Sequence, residues 1–158
     1  MSDLPSTVEI HEEGPREGFQ IEPGPISTVD KVKLIDALSK TGLKHIQACS
    51  FVNPRLVPGW ADAEKVVESF DAHEDVEYTG LYFNGNGLDR ALAFKDKLTI
   101  SGSISLTASE GFTKKNLNRT HAENMAAMER HVMSHLELGI PVNRIGVMAA
   151  FGCNYQGD

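Results

Sequence analysis

Short apolar runs alternate along the chain with segments in which apolar residues recur every three or four positions. The runs are typical of buried strands, and the periodic segments are typical of helices that cover a sheet. The pattern predicts five strands, at residues 7–10, 45–51, 78–83, 98–107 and 144–150. It predicts intervening helices at residues 27–40, 61–70, 88–94 and 120–138.

The helices predicted at residues 120–138 and 27–40 have the clearest sequence signals. Thr120 and Glu123 have the spacing of a capping box, and Gly139 is a typical residue just beyond a helix end. Apolar positions recur at helical spacing in both segments, so we expect each helix to bury one stripe. The two stripes are Met125, Met128, Val132 and Leu136 in the later helix, and Val29, Val32, Ile35 and Leu38 in the earlier one.

The alternation of strands and helices over the whole length predicts a parallel sheet built from right-handed βαβ units. Parallel sheets are covered on both faces, which fits the apolar residues around Ile104 and at residues 147–150. This α/β fold is either an open doubly wound sheet or part of a (β/α)₈ barrel. No Gly-x-Gly-x-x-Gly motif follows the first strand, so a dinucleotide-binding protein is not favoured. We expect one domain over residues 1–158.

The composition favours a reduced protein of the cytoplasm. The 158 residues are 41% hydrophobic, which is enough for one domain with a core. The net charge of -7 argues against nucleic acid as a partner, although a local basic pocket can still bind an anion. Cys49 and Cys153 form neither a disulfide framework nor a Cys-x-x-Cys metal motif. We expect no targeting leader and no membrane span, because no apolar run reaches about 18 residues.

The densest group of chemically active side chains follows the first predicted strand. Ligands of parallel α/β proteins collect at the carboxyl ends of the strands. A carboxylate there can bind a hard divalent cation, and a neighbouring arginine can stabilise a developing oxyanion. Judged by its residue types alone, this group of side chains is more typical of a solvated charged loop than of an active site. Its members are Glu12, Glu13, Arg16, Glu17, Gln20 and Glu22.

Five stretches of sequence, in a fixed order, give this group a more specific meaning. They are GPREGFQIE at residues 14–22, the segment from KLIDALSK to WADAEKV at 33–66, YTGLYFN at 78–84, SEGFTKKNLN at 109–118 and FGCNYQGD at 151–158. Together they resemble the hydroxymethylglutaryl-CoA lyase family, a branch of the metal-dependent barrels related to pyruvate carboxyltransferases. The resemblance implies that the chain forms about the first five strands of a (β/α)₈ (TIM) barrel.

The resemblance also implies an activity and the residues that carry it. Members of this family cleave a 3-hydroxyacyl-CoA thioester to acetyl-CoA and a keto acid by a retro-aldol step, with a divalent metal such as Mg²⁺ or Mn²⁺. By this resemblance, Arg16 polarises the carbonyl and stabilises the enolate, and Glu17 binds the metal. Gln20 belongs to the same loop, Ser50 lines the pocket at the second strand, and Gln47 stands where the family has the residue that holds the arginine.

Three further candidates have weaker support. Lys114 and Lys115 precede the helix at 120–138, where they either meet the phosphates of a CoA thioester or are ordinary solvated loop lysines. His131 and His135 are four residues apart, which suits a metal, but on an outer helix they fit a surface pair better. Cys153 matches a structural segment of the family, so we assign it to packing.

Differences from the family leave other functions open. The lyases have Asp at the position of Glu17 and Glu at the position of Gln47, and Arg-Glu-Gly occurs among acyl-CoA-condensing synthases of the homocitrate and isopropylmalate types. The alternatives are therefore such a synthase or a non-catalytic scaffold that binds CoA esters. The family's His-x-His metal ligands lie on a later strand, and this sequence has no His-x-His. We expect an incomplete site, completed by a missing C-terminal half or by a second copy.

Overall fold

The computed structural model describes residues 4–157 and is a mixed α/β structure with parallel strands. Its residues form two compact units, one up to Ile100 and one from Ser101 onward, which we describe separately. One domain over residues 1–158 stays a prediction, and Asp158, the last residue of the FGCNYQGD stretch, lies outside the described residues. None of the described helices is both long and apolar enough to cross a membrane.

The unit up to Ile100 contains a three-stranded parallel sheet and the helices that accompany it. Its elements are β1 (His11–Glu12), α1 (Gly14–Ile21), α2 (Thr28–Leu38), β2 (His45–Ser50), a 3₁₀ helix (Pro58–Trp60), α3 (Ala63–Ser69), β3 (Glu77–Leu81) and α4 (Gly85–Leu92). The strands lie in the order β1-β2-β3. His11 of β1 is paired with His45 of β2, which is paired in turn with Glu77 of β3.

The first strand is shorter and begins later than the sequence predicts. Strand β1 pairs with β2 through His11 and Glu12, so the predicted strand at residues 7–10 is wrong. Val8 and Ile10 are instead exposed. Apolar β-branched residues favour a strand where they pair with a neighbouring strand and pack against a covered face. In the described structure, residues 7–10 have no such pairing and no such packing.

Helix α1 replaces the loop that the sequence predicts after the first strand. Pro15 lies in its first turn, where proline needs no N–H partner and its fixed φ suits the helix. The glycines and the proline of GPREG therefore start a helix, and the loop prediction is wrong. As a result Arg16, Glu17 and Gln20 lie on a helix.

The core of this unit is formed by the sheet together with helices α2 and α3. Ile35 of α2 is fully buried, and Val32 and Leu38 pack partly buried against the core, as predicted. Val29, however, is exposed, so the predicted stripe is wrong at that position. The largest buried side chains of the core include Trp60, Phe51, Phe70 and Ile46.

Lys31 occupies the buried face of α2, where the sequence pattern placed apolar residues. Its ammonium donates to the carbonyl oxygen of Gly59 and to Asp62, both at 2.5 Å, and lies 4.8 Å from the ring centroid of Trp60. Burial raises the pKa of Asp62, but hydrogen bonds from Lys31 and Thr28 outweigh it and hold that pKa below its ordinary value. The stabilisation is therefore present above the ordinary Asp pKa and is lost as the pH falls through the lowered one.

The unit from Ser101 onward contains two parallel strands and two helices. Its elements are β4 (Gly102–Thr107), α5 (Glu110–Leu117), α6 (His121–Glu137) and β5 (Val142–Met148). Thr120 and Glu123 form the predicted capping box at the start of α6. Helix α5 occupies a stretch predicted as a loop, because the Ser109 side chain caps it by accepting from the Phe112 amide at 3.0 Å.

Helix α6 buries a different face from the predicted one. Met125 and Leu136 of the predicted stripe are exposed, whereas His135 is buried. Gly102 leaves room for the imidazole, since a Cβ there would lie 2.8 Å from the ring of His135. The expectation that His131 and His135 both lie on the surface is therefore wrong for His135. The two rings do lie side by side, with centroids 4.1 Å apart.

Strand β5 contradicts the expectation that both faces of the sheet are covered. All of its residues after Val142 are exposed, including Ile145 and Val147. Within this unit β5 pairs with β4 and contacts α6, and these two elements leave most of its apolar side chains uncovered.

Candidate active site at the carboxyl end of strand β1

Helix α1 places Arg16 against strand β2. The guanidinium is largely buried, with 12% of the side chain exposed. Its Nε donates to Oε1 of Gln47 at 2.5 Å, one terminal nitrogen donates to Glu13 at 2.7 Å, and the other donates to Glu17. The three acceptors lie on α1 (Glu17), directly before α1 (Glu13) and on β2 (Gln47). Together they fix the position and the plane of the guanidinium.

Trp60 ties α1 to the 3₁₀ helix. Its indole N–H donates to the backbone carbonyl oxygen of Arg16 at 3.0 Å, and its ring packs against Phe19 with 6.1 Å between centroids. Gly59 allows the two segments to approach, because a Cβ there would lie 2.8 Å from the carbonyl oxygen of Phe19. The backbone of Arg16 is thereby anchored to the buried core.

Glu17 has the donor type that the predicted metal needs. Carboxylate oxygens suit Mg²⁺ and Mn²⁺, and 51% of the Glu17 side chain is exposed, so an ion can reach it. Gln20, about one turn further along α1, is exposed and offers an amide oxygen. The donors therefore fit such an ion by type, with Glu17 as one ligand of a larger set.

The two predicted site residues of β2 differ in access. Gln47 is partly buried and contacts Arg16, whereas Ser50, the last residue of the strand, is fully buried. The Ser50 hydroxyl accepts weakly from the Val52 amide, at 3.4 Å. A register shift between Gln47 and Cys49 separates the two positions. The structure thus brings together Arg16, Glu17 and Gln47, and it places Ser50 inside the end of the strand.

The remaining candidates lie in the unit from Ser101 onward. Lys114 and Lys115 are exposed in the last turn of α5, so their placement in a loop is wrong, and their contact with CoA stays a prediction. The Cys153 sulfur lies 2.9 Å from the hydroxyl of Ser109, and stabilisation of the thiolate by a hydrogen bond with Ser109 lowers the pKa of the thiol below its ordinary value. Because Ser109 also caps α5, Cys153 belongs to a local capping network.

Sequence reasoning missed a second group of ligand-type side chains, formed by Glu9, His11 and His45. Their candidate ligand atoms all lie within 4.8 Å of one another. No His-x-His motif marks them, because the two histidines lie on different strands and meet through the register of the sheet. The described residues therefore include a candidate metal-binding group that does not contain Glu17.

Comparisons with known proteins point to one kind of enzyme. No protein-family model matches the chain. The cytoplasmic 3-hydroxy-3-methylglutaryl-CoA lyase of Rattus norvegicus is 39% identical over 159 residues, covering 100% of this chain and 45% of the relative. A solved HMG-CoA lyase from Bacillus subtilis aligns with a TM-score of 0.85 at 34% identity, covering 98% of this chain and 50% of that one.

A third similar protein was solved with a bound ligand. An HMG-CoA lyase from Acinetobacter baumannii, in complex with coenzyme A and 3-methylmalate, aligns with a TM-score of 0.80 at 29% identity, covering 100% of this chain and 51% of that one. The chain thus spans about half the length of the relatives it matches. The likeness confirms the predicted parallel α/β fold that corresponds to part of a TIM barrel.

Proposed function

Because the chain belongs to the hydroxymethylglutaryl-CoA lyase family, and because Arg16 and Glu17 meet at the carboxyl end of its first strand, we propose that it carries part of the active site of a carbon–carbon lyase. The proposed reaction is the metal-assisted cleavage of a 3-hydroxyacyl-CoA thioester to acetyl-CoA and a keto acid. The coenzyme A complex of the Acinetobacter baumannii protein supports an acyl-CoA substrate.

The fixed position of Arg16 is the observation that carries this proposal. Cleavage moves the electron pair of the breaking carbon–carbon bond toward the thioester carbonyl oxygen, which gains negative charge. The hydrogen bonds to Glu13, Glu17 and Gln47 use three of the five N–H donors of the guanidinium. The others can reach the carbonyl oxygen, and a donor held in place beforehand stabilises the charge without reorganising as it develops.

Glu17 is the proposed metal ligand of this site. When bound, Mg²⁺ or Mn²⁺ would orient the tertiary hydroxyl of the substrate and make it more acidic. The hydrogen bond from Arg16 holds the Glu17 carboxylate beside the guanidinium, so the two groups serve the same substrate. Gln20 and Ser50 are the proposed substrate contacts nearby, and Lys114 and Lys115 are proposed to meet the CoA phosphates.

Further ligands must complete the metal site, because Mg²⁺ takes about six oxygen ligands and Glu17 supplies one carboxylate. We propose that they come from further polypeptide or from a second copy of the chain. The intact mass and the sedimentation coefficient of the native protein separate these two sources.

A cytoplasmic location is also proposed; the rat relative is named cytoplasmic, and mitochondrial lyases are relatives as well.

A cleavage assay on the native protein that carries this chain tests the proposed function. With 3-hydroxy-3-methylglutaryl-CoA and Mg²⁺ or Mn²⁺, we expect acetyl-CoA and acetoacetate in equal amounts. Chelation of the metal should stop the reaction, and restoring the metal should recover it. Failure to form either product with both metals would overturn the lyase assignment.

Condensation is the competing activity, because Glu17 stands where the resemblance leads us to expect Asp. Condensation releases free coenzyme A from acetyl-CoA and a 2-oxo acid, whereas cleavage releases acetyl-CoA. Thiol release from that mixture without any cleavage would favour a synthase. Tight binding of the thioester with neither reaction would favour the non-catalytic scaffold.

Gln47 is predicted to position Arg16 rather than to touch the substrate. Gln47→Leu removes the acceptor of the Arg16 Nε and should lower kcat about 10- to 100-fold with little change in KM, because the guanidinium loses its alignment. Gln47→Glu keeps an acceptor and should retain activity. Equal activity of the parent and Gln47→Leu, with matched melting temperatures, would contradict this role.

A further inference from the structure

Three ionisable residues form a row across the sheet at the amino ends of its strands. His11, His45 and Glu77 are the first residues of β1, β2 and β3, and each is the register partner of the next. Register partners in neighbouring strands project to the same face and lie about 5 Å apart. The imidazoles of His11 and His45 accordingly stack, with ring centroids 4.2 Å apart and planes 14° apart.

Glu9 brings a carboxylate to the same place. Its Oε1 lies 3.7 Å from Nε2 of His11 and in contact with Nε2 of His45. Two imidazole nitrogens therefore converge on one carboxylate oxygen. In a tetrahedral zinc site, with metal–ligand distances of about 2.0–2.2 Å, the ligand atoms lie roughly 3.3–3.5 Å from one another. The three ligand atoms here lie within 4.8 Å of one another, so small side-chain rotations bring them to that spacing.

Glu77 adds the outer partner that metal-binding histidines commonly have. Its Oε2 lies 3.2 Å from Nδ1 of His45. A hydrogen bond from Nδ1–H to this carboxylate leaves the lone pair of Nε2 facing Glu9, and it fixes the tautomer that a metal ion requires. The arrangement of carboxylate, histidine and ligand position is therefore present on β2 and β3.

We propose that Glu9, His11 and His45 bind a divalent transition-metal ion of the zinc type, with Glu77 orienting His45. Two imidazoles and one carboxylate suit such an ion, whereas Mg²⁺ prefers oxygen ligands throughout. The side chains of Glu9 and His11 are 64% and 55% exposed, which gives an ion access and leaves a fourth position for water.

Zinc titration of the untagged protein by calorimetry near neutral pH tests this site, with no dependence on lyase activity. We expect one zinc ion per chain at Glu9, His11 and His45, in addition to any ion bound at the Glu17 site. His11→Ala and His45→Ala should each weaken binding by more than about 100-fold, and Glu77→Gln by about 10- to 100-fold, the usual cost of losing an outer partner. His73→Ala, which removes an exposed histidine outside the group, should bind like the parent.

The Glu77→Gln variant, which keeps all three proposed ligands, guards against unfolding as an explanation. Glu77→Gln preserves the shape of the side chain, so its weaker binding at an unchanged melting temperature would support the site. A zinc stoichiometry and affinity in His11→Ala and His45→Ala equal to those of the parent would overturn the proposal, as would the absence of binding by the parent. Loss of lyase activity in other variants has no bearing on these results.

Discussion

Replacement of Arg16 by Gln should lower kcat for cleavage of 3-hydroxy-3-methylglutaryl-CoA by about 10²–10³-fold, the usual effect of removing one preorganised donor to a developing oxyanion. Gln keeps polarity and much of the length but cannot supply a charged, forked donor. It also removes the guanidinium that donates to the carboxylates of Glu13 and Glu17. Steady-state kinetics of the native protein would show this loss mainly in kcat.

Arg130 provides the matched control for that experiment. It is an exposed arginine on α6, outside the Arg16 site, so Arg130→Gln removes the same charge without touching the proposed chemistry. Its kcat and KM should equal those of the parent. If Arg16→Gln kept the parent kcat, Arg16 would have no part in stabilising the enolate, and the proposed mechanism would be wrong.

Truncation of Trp60 should cause the largest loss of stability, about 3–5 kcal/mol in the free energy of unfolding. The side chain is fully buried in the core cluster, and the ammonium of Lys31 lies over its ring. Its N–H also anchors the carbonyl of Arg16, so Trp60→Ala removes packing and leaves that carbonyl without its donor. Urea denaturation followed by circular dichroism measures the change.

Two further variants separate packing from hydrogen bonding at this position. Trp60→Phe keeps most of the apolar volume and loses the donor to Arg16, so it should cost less than Trp60→Ala, about 1–3 kcal/mol. Phe83→Ala truncates an aromatic side chain that is exposed, and it should change stability by less than about 0.5 kcal/mol. A Trp60→Ala variant as stable as Phe83→Ala would show that the buried indole does not support α1.

The central strands could be predicted from the sequence because their apolar runs coincide with burial. Strand β2 was predicted at residues 45–51 and is found at His45–Ser50, and β3 was predicted at 78–83 and is found at Glu77–Leu81. Both are flanked by helices or strands that cover them, so composition, period and environment agree. The predicted parallel α/β fold follows from these elements and their order.

Helices α1 and α5 could not be predicted by the same reasoning, because their starts depend on local chemistry that resembles loop chemistry. Proline and glycine punctuate loops, yet Pro15 occupies a first helical turn. Ser109 likewise looks like a loop residue until its side chain caps α5. Burial of Lys31 and His135 was missed because it depends on residues outside their helices. Asp62 accepts a hydrogen bond from Lys31, and Gly102 leaves space for the His135 ring.

Contacts between distant residues explain why the candidate site was only partly visible in the sequence. The resemblance indicated Arg16, Glu17 and Gln47 by position, and the contact of Arg16 with Gln47 depends on the docking of α1 against β2. The approach of His11 to His45 depends on strand register, which no local pattern encodes.

The central claim is that Arg16 and Glu17, at the end of β1, serve a metal-assisted lyase. The metal dependence of cleavage tests this claim most directly. Turnover of the native protein would be measured against Mn²⁺ concentration in the parent, in Glu17→Asp and in Glu17→Gln. We expect Glu17→Asp to stay metal-dependent and active, and Glu17→Gln to need at least about 10-fold more Mn²⁺ for half-maximal turnover, because it loses an ionised ligand. Identical Mn²⁺ dependence in the parent and Glu17→Gln would contradict the account.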